Sequence, residues 1–591
     1  AQAFAAALRR GAAELPPRLH VFALPQIAPQ HLQLLHEVGR RVEVRLYVWN
    51  PCREYWFDLV DRRRLSHLAA RGRDAVHAEE GNRLLAAWGK QTQQHIEALV
   101  EVCGDDAEDH AHFAASGGAS LLAQVHDALL ELRAIEPGSL RLAEGDRSLE
   151  LHLCHSLTRE LEVLHDRLLG LFAADPSLRP GEVLVVTPDL EAAAPLIDAV
   201  FGAVPGDRAL PYALCGVRRS RADAPARCLL QLLALAGSRC SASEVFALLQ
   251  QPPVARRFGL DDDALQQIHG WLLDAGFHWG LDAAQREALQ LPASARHTLD
   301  DALQRLFLGY ALPAQCGHTF AGLLAAGDAE GTRAAALGAL WQFAQALRGA
   351  LQALRPPQLP AAWAATLAGM LDRFIAPADD ELEAALALRR SLYELADDMQ
   401  RGGVAAPLPL AVVRAALQRQ LDAGGGGGAA GGSINFAGMS TLRGLPFKVV
   451  CAIGLNDGAF PALRLPREFD LMAQHPRRGD RQRRDDDRAL MLELLLGARS
   501  HLHLSCTGRS VRDNQPLSPS VLVAELLDLL APAIAEPGSD AAAAKSSARR
   551  RLRVEHPLQP FAAAAFDTQG DARLRSHDRE LADALRAQLA A

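Results

Sequence analysis

The chain has 591 residues, of which 49% are hydrophobic and 22% charged, and its 62 basic and 70 acidic side chains give a formal net charge of -8 at pH 7. These proportions are close to those of globular proteins, and they exclude a wholly disordered chain and a single small module. At roughly 100–200 residues per domain, we expect three or four domains. Because the net charge is negative, any nucleic-acid contact requires a local cluster of basic side chains.

The first 145 residues show the alternation of a β-α-β unit. Residues 19–23 (LHVFA) and 42–49 (VEVRLYVW) are predicted to be strands, and residues 28–38 between them an amphipathic helix. The apolar spacing is helical again at 84–102 and 120–133. This order predicts an α/β domain.

A second α/β region follows. Residues 148–156 (SLELHLCHS) alternate as a strand, and leucines three or four residues apart from 157 to 171 predict a helix. Residues 182–187 (EVLVVT) form a continuous apolar run, which suits a parallel strand buried on both faces, and 188–201 continue as a helix. We therefore expect a parallel sheet here.

A long helical block interrupts this pattern. From about residue 215 to 420 the strand signal fades and Leu/Ala-rich helical periodicity replaces it, and residues 422–433 (DAGGGGGAAGGS) predict a flexible connector. The α/β pattern then resumes with a strand at 447–455, a helix at 485–498 and a strand at 501–505. We expect the sheet to be completed after the helical block, and the tail past residue 536 shows little sign of a core of its own.

Cysteine spacing and hydropathy bear on where the chain works. The nine cysteines form no CxxC pair, which is typical of reduced thiols and predicts a cytoplasmic protein. No apolar run approaches the roughly 18 residues that a membrane span requires, so we expect no membrane contact. The chain begins without Met and without a signal-peptide pattern, and we expect it to be a piece of a longer polypeptide.

Signatures of nucleotide and hydrolytic chemistry are missing from the sequence. A P-loop needs G-x-x-x-x-G-K-[ST], but the only lysine that follows a glycine is Lys90, with Leu84 at the first glycine position and Gln91 in place of Ser/Thr. Neither HExxH nor GxSxG occurs. His152 and His155 lie on a predicted strand, where neighbouring side chains point to opposite faces, so packing is favoured over metal binding.

Residues 434–523 resemble the last two motifs of the UvrD-like superfamily 1 helicases. Arg443-Gly444-Leu445-Pro446-Phe447 occupies the K-G-L-E-F positions of the first motif. When Arg488 is placed on the first arginine of the second motif, Leu496 and Gly497 stand where that motif has Thr-Arg. In such motors the late arginine contacts the γ-phosphate. The resemblance implies a helicase scaffold without the nucleotide chemistry.

The whole chain resembles the RecC family, the gamma subunits of exodeoxyribonuclease V (RecBCD). The matching segments are 50–56, 84–90, 154–156, 160–168, 210–212, 279–282, 308–310, 446–450, 469–472, 477–488, 508–510 and 519–523. The resemblance implies an α/β fold of P-loop-NTPase-like (RecA-like) pseudo-helicase domains with a large helical insertion. It also implies that an N-terminal helicase-like portion and a C-terminal nuclease-like domain lie outside this chain.

The resemblance divides the chain into six parts. They are the end of a first helicase-like domain (1–145), the first part of a second RecA-like domain (146–213), a helical insertion (214–422), a Gly-rich loop (423–433), the remainder of the second RecA-like domain (434–536) and a linker toward the nuclease-like domain (537–591).

The resemblance also implies a function. The chain would be a non-catalytic subunit of a helicase–nuclease complex that repairs double-strand breaks, and it would help to split duplex ends, guide single-stranded DNA and recognise the Chi sequence. Its partners would be a RecB-like motor and nuclease subunit, a RecD-like motor subunit, duplex DNA ends and single-stranded DNA. ATP and Mg would be used by those subunits, and no cofactor is expected in this chain. The chain would work in the bacterial cytoplasm and would associate with the nucleoid during repair.

Two alternatives remain open. The first is a structural scaffold that holds the motor and nuclease subunits without touching DNA, which the negative net charge favours. The second is an active ATPase, which the missing P-loop and the missing late arginine disfavour.

The strongest candidate site is the segment HPRRGDRQRRDDDR at 475–488, with six arginines and four aspartates. Guanidinium groups bind phosphates in bidentate fashion and stack on unpaired bases. The predicted DNA contacts are Arg443, Arg478, Arg481, Arg483, Arg484, Arg488 and Arg509. The alternative is a solvated loop and helix start, where the aspartates meet the positive end of the helix dipole.

Two further sets carry weaker hypotheses. Asp485, Asp486 and Asp487 are candidates for base recognition, because a carboxylate accepts a hydrogen bond from the cytosine amino group. Trp49, Tyr55 and Trp56 are candidates for base stacking, with packing in a core as the alternative.

Overall fold

The computed structural model describes residues 4, 8, 15–22, 24–59, 81–104, 107–204, 206–218, 220, 223–312, 319–328, 331–423, 429–462, 467–475, 477, 479–535 and 541–590. The chain divides into two compact units. The first combines Ala1–Gly216 with Gly427–Ala591, and the second is Val217–Gly426.

The first unit is built on a seven-stranded parallel sheet. In chain order its strands are β3 (Leu149–Cys154), β4 (Val183–Thr187), β5 (Tyr212–Cys215), β6 (Ile434–Gly438), β7 (Phe447–Ala452), β8 (Ala498–Thr507) and β9 (Arg553–Glu555). Their order in the sheet is β5-β6-β4-β7-β8-β3-β9, and every neighbouring pair is parallel. Because β4 lies between β6 and β7, strands from before and after the helical block share one sheet, as predicted.

Helices cover this sheet. Those of the first unit are α1 (Pro29–Gly39), α2 (Arg83–Trp88), α3 (Lys90–Cys103), α4 (Leu121–Leu130), α5 (Leu157–Ala174), α6 (Leu190–Ile197), α17 (Leu471–Gln474), α18 (Arg483–Gly497), α19 (Val521–Ala533), α20 (Ala541–Leu552) and α21 (Arg579–Ala590). All residues of β3 and β4 are buried, as expected for parallel strands covered on both faces. The predicted α/β class is confirmed.

A second, small sheet lies near the start of the chain. It consists of β1 (Arg18–Phe22) and β2 (Glu43–Tyr47), which are parallel and joined through α1. Leu32 of α1 and Leu99 of α3 are buried together with Ile27 beside this pair. The β-α-β unit predicted from residues 19–49 is therefore present.

The second unit is helical over its described residues. Its helices are α7 (Ala224–Leu235), α8 (Ala242–Leu249), α9 (Pro252–Arg257), α10 (Asp262–Asp274), α11 (Ala283–Ala288), α12 (Leu299–Ala311), α13 (Ala334–Ala353), α14 (Pro360–Phe374), α15 (Leu382–Arg401) and α16 (Leu410–Ala423). Its core is rich in leucine and also contains Phe343, Trp363 and Phe374, all buried. The predicted large helical insertion is confirmed. Across both units, no helix in the described ranges is long and apolar enough to cross a membrane.

Three strands were not expected from the sequence. β5, β6 and β9 have only four, five and three residues, too few to show an alternating pattern. The tail contributes more than its composition predicts, because β9 pairs with β3 and Leu552 and Val554 are buried. Residues of the tail therefore complete one edge of the sheet.

Three histidines are stacked within the sheet. The ring centroids of His152 on β3 and His503 on β8 are 4.1 Å apart, and His152 Nδ1 lies 2.9 Å from His556 Nε2. Burial is the largest cause that lowers the pKa of all three, well below the ordinary value for His152 and His503 and to about 3 for His556. The stack is therefore a neutral element of the core, in line with the packing role favoured for His152.

Candidate nucleic-acid interface

The predicted arginines and aspartates gather at the start of α18. Leu490, Met491 and Leu494 on one face of this helix are buried in the core of the first unit. Asp485 and Asp486 lie in its first turn, where the positive end of the helix dipole stabilises negative charge. Because α18 is buried over most of its length, only Arg483 and Arg484 at its start are exposed.

Arg443, on the loop between β6 and β7, is held by two carboxylates. Its Nε and Nη2 donate to the two oxygens of Glu493 at 2.7 and 2.8 Å, and its Nη1 donates to Asp486 Oδ1 at 2.7 Å. The side chain is only 9% exposed. A phosphate contact by Arg443 stays a prediction, and it would require release from both carboxylates.

Burial and pairing act against each other in this cluster. Burial raises the pKa of Glu493 above its ordinary value in spite of the hydrogen bonds from Arg443. Burial also opposes ionisation of Asp486, but hydrogen bonds from Arg443 and Arg481 outweigh it and hold the pKa of Asp486 below its ordinary value. Asp486 is therefore the carboxylate that links the buried and the exposed arginine.

The arginines just before and at the start of α18 are exposed. Arg481 donates its Nε to Asp486 Oδ2 at 2.8 Å, yet its side chain is 68% exposed. Arg483 is exposed with Asp487 Oδ2 at 3.9 Å, and Arg484 is exposed and forms no direct ion pair or hydrogen bond with any described residue. Arg478 lies outside the described residues. These exposed guanidinium groups are available to a ligand.

A close backbone approach positions this loop. Gly479 has a φ of +91°, and a Cβ there would lie 2.8 Å from Cγ of Pro29. Its carbonyl oxygen accepts a hydrogen bond from Gln26 Nε2 at 3.1 Å. A side chain at position 479 would be strained in both respects, so glycine keeps the arginine loop against the start of α1.

Two more ion pairs anchor α18. Arg488 donates from Nη1 and Nη2 to the two oxygens of Glu525 on α19, at 2.9 and 2.8 Å, and Trp88 Nε1 donates to Glu525 Oε2 at 3.0 Å. Lys90 Nζ donates to Asp485 Oδ2 at 2.6 Å. These contacts join α18 to α19, α2 and α3, and they give Arg488 and Asp485 positioning roles within the chain.

The remaining predicted residues lie outside this cluster. Arg509 donates Nη1 to the carbonyl oxygen of Asn514 at 3.2 Å, and its Nη2 is 3.9 Å from Glu555. Trp56 is buried and donates its Nε1 to Asn50 Oδ1 at 3.1 Å, and Trp49 packs against the same core. Tyr55 is exposed, so it is the member of the aromatic set that offers a ring face to a ligand.

Sequence reasoning missed several partners in this region. Lys90, Glu493 and Glu525 are not among the site residues predicted from the sequence. Glu160, fully buried on α5, is also not among the predicted residues, and its Oε2 accepts hydrogen bonds from Gly454 N at 2.7 Å and Ser505 Oγ at 2.6 Å. An acidic residue in an otherwise apolar helix face was the available signal for Glu160.

The parallel sheet, the helical insertion and the loops at α18 define a helicase-like α/β protein. The family model for the RecC N-terminal domain matches residues 1–132, and the model for the fourth domain of RecBCD enzyme subunit RecC matches residues 223–425. The chain belongs to the RecC family. The first match also shows that part of the family's N-terminal domain lies within this chain.

Curated relatives agree with this assignment. The RecBCD enzyme subunit RecC of Escherichia coli is 33% identical over 590 residues, covering 93% of this chain and 52% of the relative. Those of Haemophilus influenzae and Mycobacterium tuberculosis are 34% and 32% identical, covering 88% and 94% of this chain and 48% and 50% of the relatives. The chain spans about half the length of the curated relatives it matches.

Proposed function

We propose that this chain is a non-catalytic, DNA-binding part of a RecBCD-type helicase–nuclease that acts on double-strand breaks. It would guide single-stranded DNA along the first unit and help to separate duplex ends. The observation that carries this proposal is the group of exposed arginines, Arg481, Arg483 and Arg484, just before and at the start of α18 in a protein of the RecC family. Guanidinium groups held on an ordered element are suited to binding phosphates.

The partners follow from the names of the relatives. Those proteins are called subunits of a RecBCD enzyme, so we propose a RecB-like motor and nuclease subunit and a RecD-like motor subunit as partners of this chain. ATP and Mg would be used by those subunits, because the sequence of this chain has no P-loop.

We also propose that this chain contributes to recognition of Chi, with the aspartates at the start of α18 as the candidate residues. Asp485 and Asp486 already accept hydrogen bonds from Lys90 and two arginines, so a base would have to compete with these partners. Asp487 Oδ2 is buried 3.9 Å from Arg483 Nε, so a base would reach it only after a rearrangement of this turn. Asp485→Asn, Asp486→Asn and Asp487→Asn, each measured against oligonucleotides that differ only at a cytosine, test whether any of the three accepts a base.

The experiment is fluorescence anisotropy of a forked DNA with a single-stranded arm, measured with the purified chain across a salt series. The test variant changes Arg481, Arg483 and Arg484 to Ala, and the control changes the exposed Arg401, Arg579 and Arg586 to Ala. For single strands, each lost phosphate contact reduces the slope of log affinity against log salt by about 0.7. We expect a reduction of up to about 2 in the test variant and none in the control.

A second candidate is a scaffold that holds the motor and nuclease subunits without touching DNA. The observation that favours it is the internal pairing of Arg443 and Arg488, which removes two of the predicted contacts from the accessible surface. Equal DNA binding by the test variant, the control and the unchanged chain would contradict the role of the arginine loop. No DNA binding at low salt by any of the three folded proteins would contradict the DNA-binding proposal itself. Assembly with RecB-like and RecD-like chains that is insensitive to salt, without DNA binding, would support the scaffold.

A further inference from the structure

Three large apolar side chains are exposed next to the arginine loop. Phe469, Leu471 and Met472 are 76%, 70% and 51% exposed, and they lie within four consecutive residues around the short helix α17. Single exposed apolar residues are common on protein surfaces, but a group of them marks a surface that binds a partner or ligand.

The chemistry around this group is basic. The described part of the segment from 467 to 484 carries Arg467, Arg477, Arg481, Arg483 and Arg484 against three acidic residues, in a chain whose net charge is -8. One of the three, Asp480, accepts a hydrogen bond from the backbone N–H of Arg477 at 2.7 Å. Asp485, Asp486 and Asp487 follow directly, and Asp486 and Asp487 lie beside Arg481 and Arg483. The positive charge is therefore confined to the loop before the aspartates of α18, where a polyanion would meet Arg477 and Arg484 first.

One arginine lies close to the exposed aromatic ring. The guanidinium carbon of Arg467 lies 5.9 Å from the centroid of the Phe469 ring, a cation–π distance, while the ring stays largely exposed. Phe469 and Arg477 are eight positions apart in the sequence, with the short helix α17 between them. Aromatic faces interleaved with arginines are the recurring design of single-strand binding surfaces.

We propose that Phe469 is a base-stacking residue for single-stranded DNA, with Leu471 and Met472 in apolar contact with the next base. Arg477, Arg481 and Arg484 would bind the phosphates on either side. The occupant is a single strand because a duplex stacks its bases internally and offers no free base face. This inference rests on the proposed function and adds to it a residue that contacts the bases of the bound strand.

The test compares two oligonucleotides of equal length and charge, one with ordinary bases and one with abasic sites, by fluorescence anisotropy with the full chain. Stacking on one aromatic ring strengthens binding by roughly 5- to 150-fold. We expect the unchanged chain to prefer the ordinary oligonucleotide by a factor in this range. Phe469→Ala should lose that preference, Phe469→Leu should lose most of it, and Phe469→Trp should keep it.

Two controls separate stacking from a loss of folding. Phe561→Ala removes another exposed aromatic ring, outside the arginine segment, and should leave the preference unchanged. The salt dependence of binding should be the same for Phe469→Ala and the unchanged chain, because phosphate contacts are retained. A changed thermal unfolding profile of Phe469→Ala would identify a folding defect in that variant. Phe469→Leu keeps an apolar side chain, so its preference for ordinary over abasic oligonucleotides is then the deciding measurement.

The outcomes distinguish this inference from the proposed function. If the chain binds neither oligonucleotide, both fail together. If it binds both equally and Phe469→Ala changes nothing, DNA binding stands and the stacking role is wrong. If Phe469→Ala weakens assembly with a RecB-like or RecD-like chain while the base preference stays intact, the apolar group is a protein contact and the stacking role is again wrong.

Discussion

Arg443 and Arg488 differ from Arg481, Arg483 and Arg484 in what their guanidinium groups already contact. The first two are nearly buried, and each is bidentate with a glutamate. The other three are exposed on the loop and first turn of α18. These arginines serve the same helix, yet one set stabilises its position and the other set is available to a ligand.

The comparison shows why a basic motif cannot be equated with a binding surface. An arginine that replaces the lysine of a motor motif can keep its place in the fold through carboxylates supplied by the same chain, as Arg443 does with Glu493 and Asp486. Substitutions in the two sets should therefore separate stability from DNA binding.

The largest expected effect is that of Arg443→Ala. This change leaves Glu493 and Asp486 without their main partner in a site that is mostly buried, and breaking such a pair costs about 3–5 kcal/mol of unfolding free energy. The measurement is urea denaturation followed by circular dichroism. Unchanged stability together with weakened DNA binding would contradict the positioning role and place Arg443 with the exposed set.

The neutral histidine stack should make the stability of the chain depend on pH near neutrality, whereas the charged cluster at α18 should not. The unfolded chain takes up protons near pH 6.5, whereas the lowered pKa values of His152, His503 and His556 keep the folded stack neutral. Stability should therefore fall as the pH decreases from about 6.5, by roughly 1 kcal/mol per histidine for the first pH unit.

The same pH series tests the origin of that effect. Urea midpoints measured between pH 7.5 and 5.5 should fall less steeply in His556→Asn than in the unchanged chain, because one of the three neutral histidines is gone. Identical slopes in both chains would contradict the assignment of this pH dependence to the stack. The low pKa of Asp486 confines its own contribution to lower pH, where stability is lost as the pH falls through that folded pKa.

A smaller effect is expected for Arg488→Ala. Glu525 is partly exposed, so water compensates for part of the lost ion pair, and we expect a loss of roughly 1–2 kcal/mol of unfolding free energy. Arg488→Lys should recover part of this loss, because lysine keeps the charge without the bidentate geometry. If Arg488→Ala lost as much unfolding free energy as Arg443→Ala, the greater burial of the Arg443 ion pairs could not explain a difference between the two arginines.

The smallest effect on stability is expected for Arg481→Ala, Arg483→Ala and Arg484→Ala. Each of these exposed arginines has at most one carboxylate neighbour, so its replacement should change the free energy of unfolding by no more than about 0.5 kcal/mol. Thermal unfolding of the three single variants checks this, and their DNA affinity at low salt gives the contrasting measurement. A large loss of stability in any of them would remove the distinction between the two sets.

Much of the fold could be predicted from local patterns. β4 was predicted from the apolar run at 182–187 and β7 from the strand at 447–455, and the helical block follows from its Leu/Ala periodicity. The short strands β5, β6 and β9 could not be predicted, because so few residues show no period of their own. Their positions depend on neighbouring strands that pair with them in the sheet.

The candidate site divides in the same way. The arginine loop, the aspartates of the first turn and the missing P-loop are local features, and the sequence by itself determined them. Whether each arginine is buried or exposed was decided by the tertiary structure, since Arg443 meets its carboxylates 43 and 50 residues further along the chain. The physical reason is that an ion pair depends on which elements the order of the sheet brings together, and no local pattern contains that order.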